Sequence, residues 1–287
     1  MINKKIALLF FALSASLTSV IAQNDTWQEY MQHLTYSPRY FGPNAFPIPE
    51  LQSGRIGTSW EVEVRGEYHI YSGDRTKDIF ARIFIPVVKE RVGVEVSRIF
   101  YEYYNMTQET VEERHAAGRF WKEGTHGDVV ISTFFKLLKS DKWADIMFES
   151  TLKTTTGKRL SDARYTDAAS YWFSLNVGRN LLKSADSKSF IRLQGLMGFY
   201  CWMTNSIVNR QDDAPLYAAG ISGVSKNLSV HADLAGFYGY LNNGDRPLVL
   251  RTKLNYEYRK NIFSFRYKHG IKDYLYDTYS IGFIRCF

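Results

Sequence analysis

Three groups of side chains have types and spacings that could do chemistry. Ser229, His231 and Asp233 share one face of an alternating stretch and are the residue types of a nucleophilic triad. Residues two apart on a strand are separated by roughly 6.8 Å, whereas a nucleophile and its base must approach to about 2.6–3.2 Å. The three alone therefore predict no triad, and a partner from a neighbouring strand would have to complete one. The expected arrangement is a polar network of His231 and Asp233 with Arg251 and Lys253. His115 and His126 stand near Glu112, Glu113 and Glu123 in a long polar stretch. No tight spacing there sets a coordination geometry, so no metal is expected. No glycine-rich loop opens a helix after a strand, so neither nucleotide chemistry nor any cofactor is expected.

The third group is the most regular. Glu61, Glu63, Arg65, Glu67 and His69 alternate without a break with Trp60, Val62, Val64, Gly66, Tyr68 and Ile70. Side chains on a strand point to opposite faces, so one face is charged and the other apolar. Arg251, Lys253, Glu257 and Arg259 continue the pattern later in the chain, as do Arg266 and Lys268. With His231 and Asp233 these charged positions are the candidate lining of an enclosed interior. Buried charges are costly unless paired or hydrated. The lining is thus either a dry salt-bridged core or a wet wall along which a small polar solute passes.

Twelve such stretches position these groups, with approximate spans 58–71, 76–88, 92–104, 128–138, 143–154, 168–179, 189–202, 215–224, 228–240, 247–259, 262–270 and 274–287. Short links such as 89–91, 225–227 and 260–261 alternate with longer ones such as 105–127, 155–167 and 203–214. An even number of strands, apolar on one side and charged on the other, predicts an all-β fold: a closed antiparallel transmembrane barrel of about twelve strands. Ile79, Ala81, Ile83 and Ile85 would face lipid, as would Leu228, Val230, Ala232 and Leu234. The third stretch breaks parity, since Arg98 falls in line with Val94 and Val96, and a bulge near Ser97 is expected. Cys201 and Cys286 end strands that run in opposite directions, which puts them near opposite membrane faces, and both should be free thiols.

Residues 1–22 read as a secretion signal: Lys4 and Lys5, an apolar run from Ile6 to Val20, and a cleavage site near Ala22. Without them the balance is 34 basic to 29 acidic residues, from 36 and 29 in the whole chain, or +5. The excess forms no block, so no nucleic-acid partner is expected. Residues 23–57 differ from the rest of the chain. Trp27, Tyr30, Met31 and Leu34 are spaced as one face of a short helix, and Pro38, Pro43, Pro47 and Pro49 then enforce an extended path. This segment is expected at the periplasmic mouth or partly inside the lumen, and 58–287 forms the barrel. Aromatic residues make up 16% of the chain, which suits girdles at two membrane interfaces.

The last stretch, YSIGFIRCF, resembles the terminal assembly signal of Gram-negative outer-membrane barrel proteins. Tyr279, Ile281, Phe283 and the final Phe287 match that pattern, and Arg285 departs from it. The resemblance covers 58–287. It implies an outer-membrane location, outer-membrane lipids as neighbours, and recognition by the barrel assembly machinery through the strand ending at Phe287. It names no activity, because the class holds channels, enzymes and adhesins alike. Twelve strands enclose more than a filled eight-stranded barrel and less than a wide pore. The expectation is a narrow channel for small polar solutes and not an enzyme; a lipid-modifying enzyme and a closed anchor barrel are the alternatives. Outer-membrane phospholipases carry Ser and His on the lipid face, and no such pair appears on the outward sets here.

Overall fold

The computed structural model describes residues 33–117, 122–185 and 188–287. Thirteen strands follow one another: β1 Glu61–Tyr71, β2 Asp74–Val88, β3 Val92–Met106, β4 Lys122–Thr125, β5 Val129–Leu138, β6 Asp145–Lys153, β7 Ser170–Lys183, β8 Ser189–Met203, β9 Gln211–Ser225, β10 Leu228–Phe237, β11 Leu248–Tyr258, β12 Asn261–Lys272 and β13 Asp277–Cys286. Twelve of them pair antiparallel with their neighbours, and β1 pairs with β13, so the sheet closes on itself. The thirteenth, β4, lies in the longest loop and pairs only with the far end of β3, Glu102–Asn105. The same loop carries one short helix, α1 Gln108–Glu113, capped by the Thr107 side chain.

Closure follows from the pattern. Each strand buries alternate residues inside the barrel and leaves the others outside, as Met147, Glu149, Thr151 and Lys153 against Ile146, Phe148 and Leu152 in β6. Val64, Leu193, Met197, Leu234, Leu254 and Ile281 all stand exposed on the outer surface. An apolar belt of this extent needs a bilayer to cover it. Two-residue turns 226–227 and 259–260 are opened by Lys226 and Arg259 at positive φ, 52° and 57°, as tight hairpins of right-twisted strands require.

Five short turns and both barrel termini lie at one end, and the longer loops at the other. In barrels of this class the short turns are periplasmic and the longer loops extracellular. Strand boundaries shift from expectation mainly where strands overrun: β7 continues to Lys183 and β9 begins at Gln211. The bulge expected near Ser97 lies at Phe100 instead, where pairing steps from Ile79–Tyr101 to Phe80–Ile99. Phe100 and Tyr101 consequently both face outward. Arg98 keeps its outward parity and is satisfied sideways, its Nε donating to Gly127 O at 3.1 Å.

The extracellular half of the interior is packed. Residues 33–57 run along the lumen rather than waiting at the periplasmic mouth. Their first described part lies at the long-loop end, where Trp202 Nε1 donates to Tyr36 O (3.0 Å) and Tyr36 Oη donates to Asp167 (2.6 Å). Phe41 and Phe46 then stack edge-on, with Phe46 against Trp202, and join Trp172, Tyr200 and Phe237 in one apolar cluster. At the other end Arg55 Nε bonds Asp145 (2.5 Å), and Ile56 packs with Phe84, Phe134 and Met147 beside the periplasmic turns. The helix expected over Trp27, Tyr30 and Met31 lies outside the described residues; Leu34, its last position, is buried in the cluster.

Candidate functional site in the barrel lumen

The loop 154–169 folds inward beside that segment and completes the seal. Arg159 and Ala163, both at positive φ, bracket the 3-10 turn Leu160–Asp162 and turn Arg164 into the interior. The fully buried Arg164 guanidinium donates to Asp74 (2.5 Å), Glu102 (2.9 Å) and Thr76 (2.8 Å). Tyr165 Oη donates to Glu102 at 2.5 Å. Burial, with that carboxylate beside it, holds the Tyr165 phenol well above its ordinary range. Gly42 is required here, because a Cβ would sit 2.7 Å from the Arg164 guanidinium carbon. Nothing in the spacing of 154–169 signals this inward fold.

Beneath the seal a cavity of about 640 Å³ runs along the lumen, from Asp128, Lys153 and Thr278 toward the long loops to Glu61, Glu95 and Ile262 near the short turns. Its wall carries most of the predicted charges. Glu61, Glu63, Arg65 and Glu67 of β1 line it, with His231, Asp233, Arg251, Lys253, Arg266 and Lys268 opposite. Glu257 does not belong. It keeps inward parity but stands exposed at the last turn of β11, where the wall ends, and Arg259 is in the turn itself. Glu63 accepts from Arg65 (2.8 Å), Arg82 (2.8 Å) and Arg266 (3.0 Å). Arg82 also reaches Glu61 and Glu95, each at 2.7 Å. Acids of β1 and β3 thus gather on one side, tied together by Arg82. The β11–β12 side is mainly cationic: Lys253 and Lys268 have no carboxylate within 4.0 Å among the described residues, whereas Arg251 pairs with Asp233 at 2.8 Å and Glu50 of the lumenal segment lies 3.9 Å from Arg251 and 3.8 Å from Arg266.

The remaining candidates sort by register. Ser229 takes no part with His231. Ser222, directly opposite His231 on β9, does: its Oγ is 2.8 Å from His231 Nδ1, and His231 Nε2 is 2.8 Å from Asp233 Oδ2. The strand spacing that argued against contact holds for backbones, but His and Asp side chains lean together along the strand. Of the expected network, Asp233–Arg251 forms and Lys253 stays apart. Ser222 lies in the uncharged run AAGISGVS, where no alternation marks it.

Glu67, His69 and Asp78 place one ligand-type atom each within 4.8 Å of one another. Both His69 nitrogens are engaged, with Thr278 (2.8 Å) and Asp78 (2.7 Å), and Asn44 Nδ2 donates to Asp78 at 2.7 Å. That cluster therefore ties the lumenal segment to the wall. His115 and His126 are not brought into any group of three potential ligands among the described residues. On the outer surface Tyr267 and His269 both bond Asp277 (2.9 and 2.7 Å), with no serine or cysteine bonded to them among the described residues. Cys201 and Cys286 are free.

No family model matches the chain, and no curated protein matches it either. Solved structures do. An outer membrane channel from Pseudomonas putida F1 superposes with a TM-score of 0.56 at 11% identity, covering 81% of this chain and 96% of that one. The KdgM porin gives 0.47 at 10% identity, over 78% and 99%. The first likeness, together with the closed sheet and its apolar belt, decides the fold. The chain is an outer-membrane β-barrel. Identity this low extends the likeness to architecture alone. What the barrel does must be argued from its lumen.

Proposed function

We propose that the barrel is a narrow channel for small polar solutes, closed at rest by residues 33–57 and the loop 154–169. The observation that carries this reading is the charged cavity of about 640 Å³ below the seal. A barrel serving only as an anchor gains nothing from Lys253 and Lys268 held without a carboxylate partner within 4.0 Å among the described residues. Acids on one wall and cations on the other set a field across the path, which favours solutes carrying charge or a strong dipole. Passage outward requires the upper seal to loosen.

Planar bilayers test this. Full-length protein should give small, infrequent conductance steps, and protein lacking residues 23–57 larger and longer ones. Lys253→Glu should shift ion preference toward cations. Folded protein that is silent in both forms would overturn the channel reading. It would favour a closed anchor, for which there is a specific observation: the lumenal segment spans from Asp145 to Asp167 levels and begins at the extracellular mouth.

A further inference from the structure

Ser222, His231 and Asp233 face the same cavity, and conduction does not need the contacts that link them. We propose that Ser222 is an activated nucleophile that takes an acyl group from small esters entering the periplasmic half of the lumen. The proposal goes beyond conduction and does not depend on it.

Geometry comes first. Both contacts, Ser222 Oγ to His231 Nδ1 and His231 Nε2 to Asp233 Oδ2, are 2.8 Å. These are the nucleophile–base and base–orienter distances that such chemistry needs. Asp233 is buried and held from its other side by Arg251 Nε at 2.8 Å, so its carboxylate is fixed in place. A neutral imidazole carries one proton. The carboxylate claims it at Nε2, which leaves Nδ1 to accept the Ser222 hydroxyl proton. Ser222 Oγ also stands 3.0 Å from Gln194 Oε1, a second acceptor for its proton. Turning the Gln194 amide over puts its nitrogen there as a donor and directs the hydroxyl proton to His231 Nδ1, and every donor in the chain Gln194–Ser222–His231–Asp233 then meets one acceptor.

The surroundings fit an acyl transfer. Cross-strand register sets Ser222, His231 and Lys253 side by side in one row. Strand backbone N–H groups are committed to the ladder, so no backbone oxyanion hole is available. The Lys253 ammonium, with no carboxylate within 4.0 Å among the described residues, is the charge beside His231 that can face a developing oxyanion. The cavity volume is in the range that holds a small organic molecule.

The steps balance. Ser222 Oγ attacks the ester carbonyl carbon as its proton passes to His231 Nδ1. The tetrahedral oxyanion collapses, the bond to the alcohol oxygen breaks, and that oxygen takes the proton from Nδ1. Water then attacks the acyl-serine with His231 again accepting a proton, and releases a carboxylic acid and free Ser222.

The test uses folded full-length protein in detergent and a small alkyl fluorophosphonate, with adducts mapped by peptide mass. Ser222 should be modified, whereas the lumenal Ser229, Ser264 and Ser280 should not. His231→Gln should slow modification by about 100-fold or more, the usual scale of a lost general base. p-Nitrophenyl acetate should give a burst of about one equivalent that is absent in Ser222→Ala. Reaction of Ser222→Cys with a methanethiosulfonate of similar size establishes that the position is reachable. Unmodified Ser222 in folded protein overturns the proposal, whether or not that cysteine reacts. Modification no faster than at Ser229, or unchanged in His231→Gln, overturns it equally. Bilayer conductance reports on the channel separately, so either reading can fail alone.

Discussion

Glu63 accepts from three guanidinium groups inside a wall that water reaches only in part. Removing one member of a buried ion cluster leaves the others uncompensated, at a cost of about 3–5 kcal/mol where no alternative partner exists. Arg65 retains Glu67, Arg82 retains Glu61 and Glu95, and Arg266 keeps only its longer contact to Glu50, 3.8 Å. Glu63→Gln should therefore cost nearer about 3 kcal/mol in urea unfolding from lipid vesicles. Glu61→Gln, with one partner and more exposure, should cost about 1 kcal/mol or less. Equal losses would mean that Glu63 is not the centre of the network. Parity made the shared face of these charges legible in the sequence. The choice of partner was not, because it depends on register between strands that are far apart in the chain. Ser222 shows the same limit: its tie to His231 is set by the two-residue turn 226–227, which fixes β9 against β10.

At the scale of elements, alternation marked most of the barrel strands, since lipid and lumen select opposite residue types at successive positions. It failed where selection is different. The bulge fell at Phe100 because an aromatic pair there can face lipid on consecutive residues, a pattern that alternation alone reads as a fault further back. The short strand β4 carries no apolar face, being outside the membrane belt, and so left no signal. Register itself can be tested at Leu254, which faces outward between Val230 and Phe265. Leu254→Arg should cost about 2–4 kcal/mol of folding free energy in bilayers if it lies near the midplane. Lys253→Gln, one residue away but facing the lumen, should cost far less. The lumenal segment has its own weak point in Gly54, at φ +77°, where a Cβ would lie 2.6 Å from Asp145 O. Gly54→Ala should cost on the order of 1–3 kcal/mol, and should open the adjacent Arg55 peptide bond to trypsin without unfolding the barrel. Resistance of that bond in the variant would show that the segment tolerates the displacement.

The path of residues 33–57 decides how the whole molecule meets its surroundings. Proline spacing made the segment extended and its aromatics made it a docking element, but neither gave a direction. Direction came from partners that only the closed barrel assembles: Trp202 and Asp167 at one end, Asp145 and Arg192 at the other. Arg192 alone holds Ser53 O through Nε and Nη2, at 3.0 and 2.7 Å, while also reaching Asp145. A chain held this way enters β1 at the periplasmic end only after crossing the lumen. His33, exposed at the start of the described path, is therefore on the extracellular side. In a background with Cys201 and Cys286 replaced by serine, His33→Cys should react with a membrane-impermeant maleimide on intact cells, as should Asn243→Cys in an extracellular loop. Asn227→Cys, in a periplasmic turn, should react only after the outer membrane is opened. Labelling at 243 but not at 33 in intact cells would place the segment's start in the periplasm and remove it from the seal. Labelling at both, with 227 silent, places His33 at the outer mouth of the barrel. Any gating of the lumen would then be open to control from outside, through the same segment that closes it.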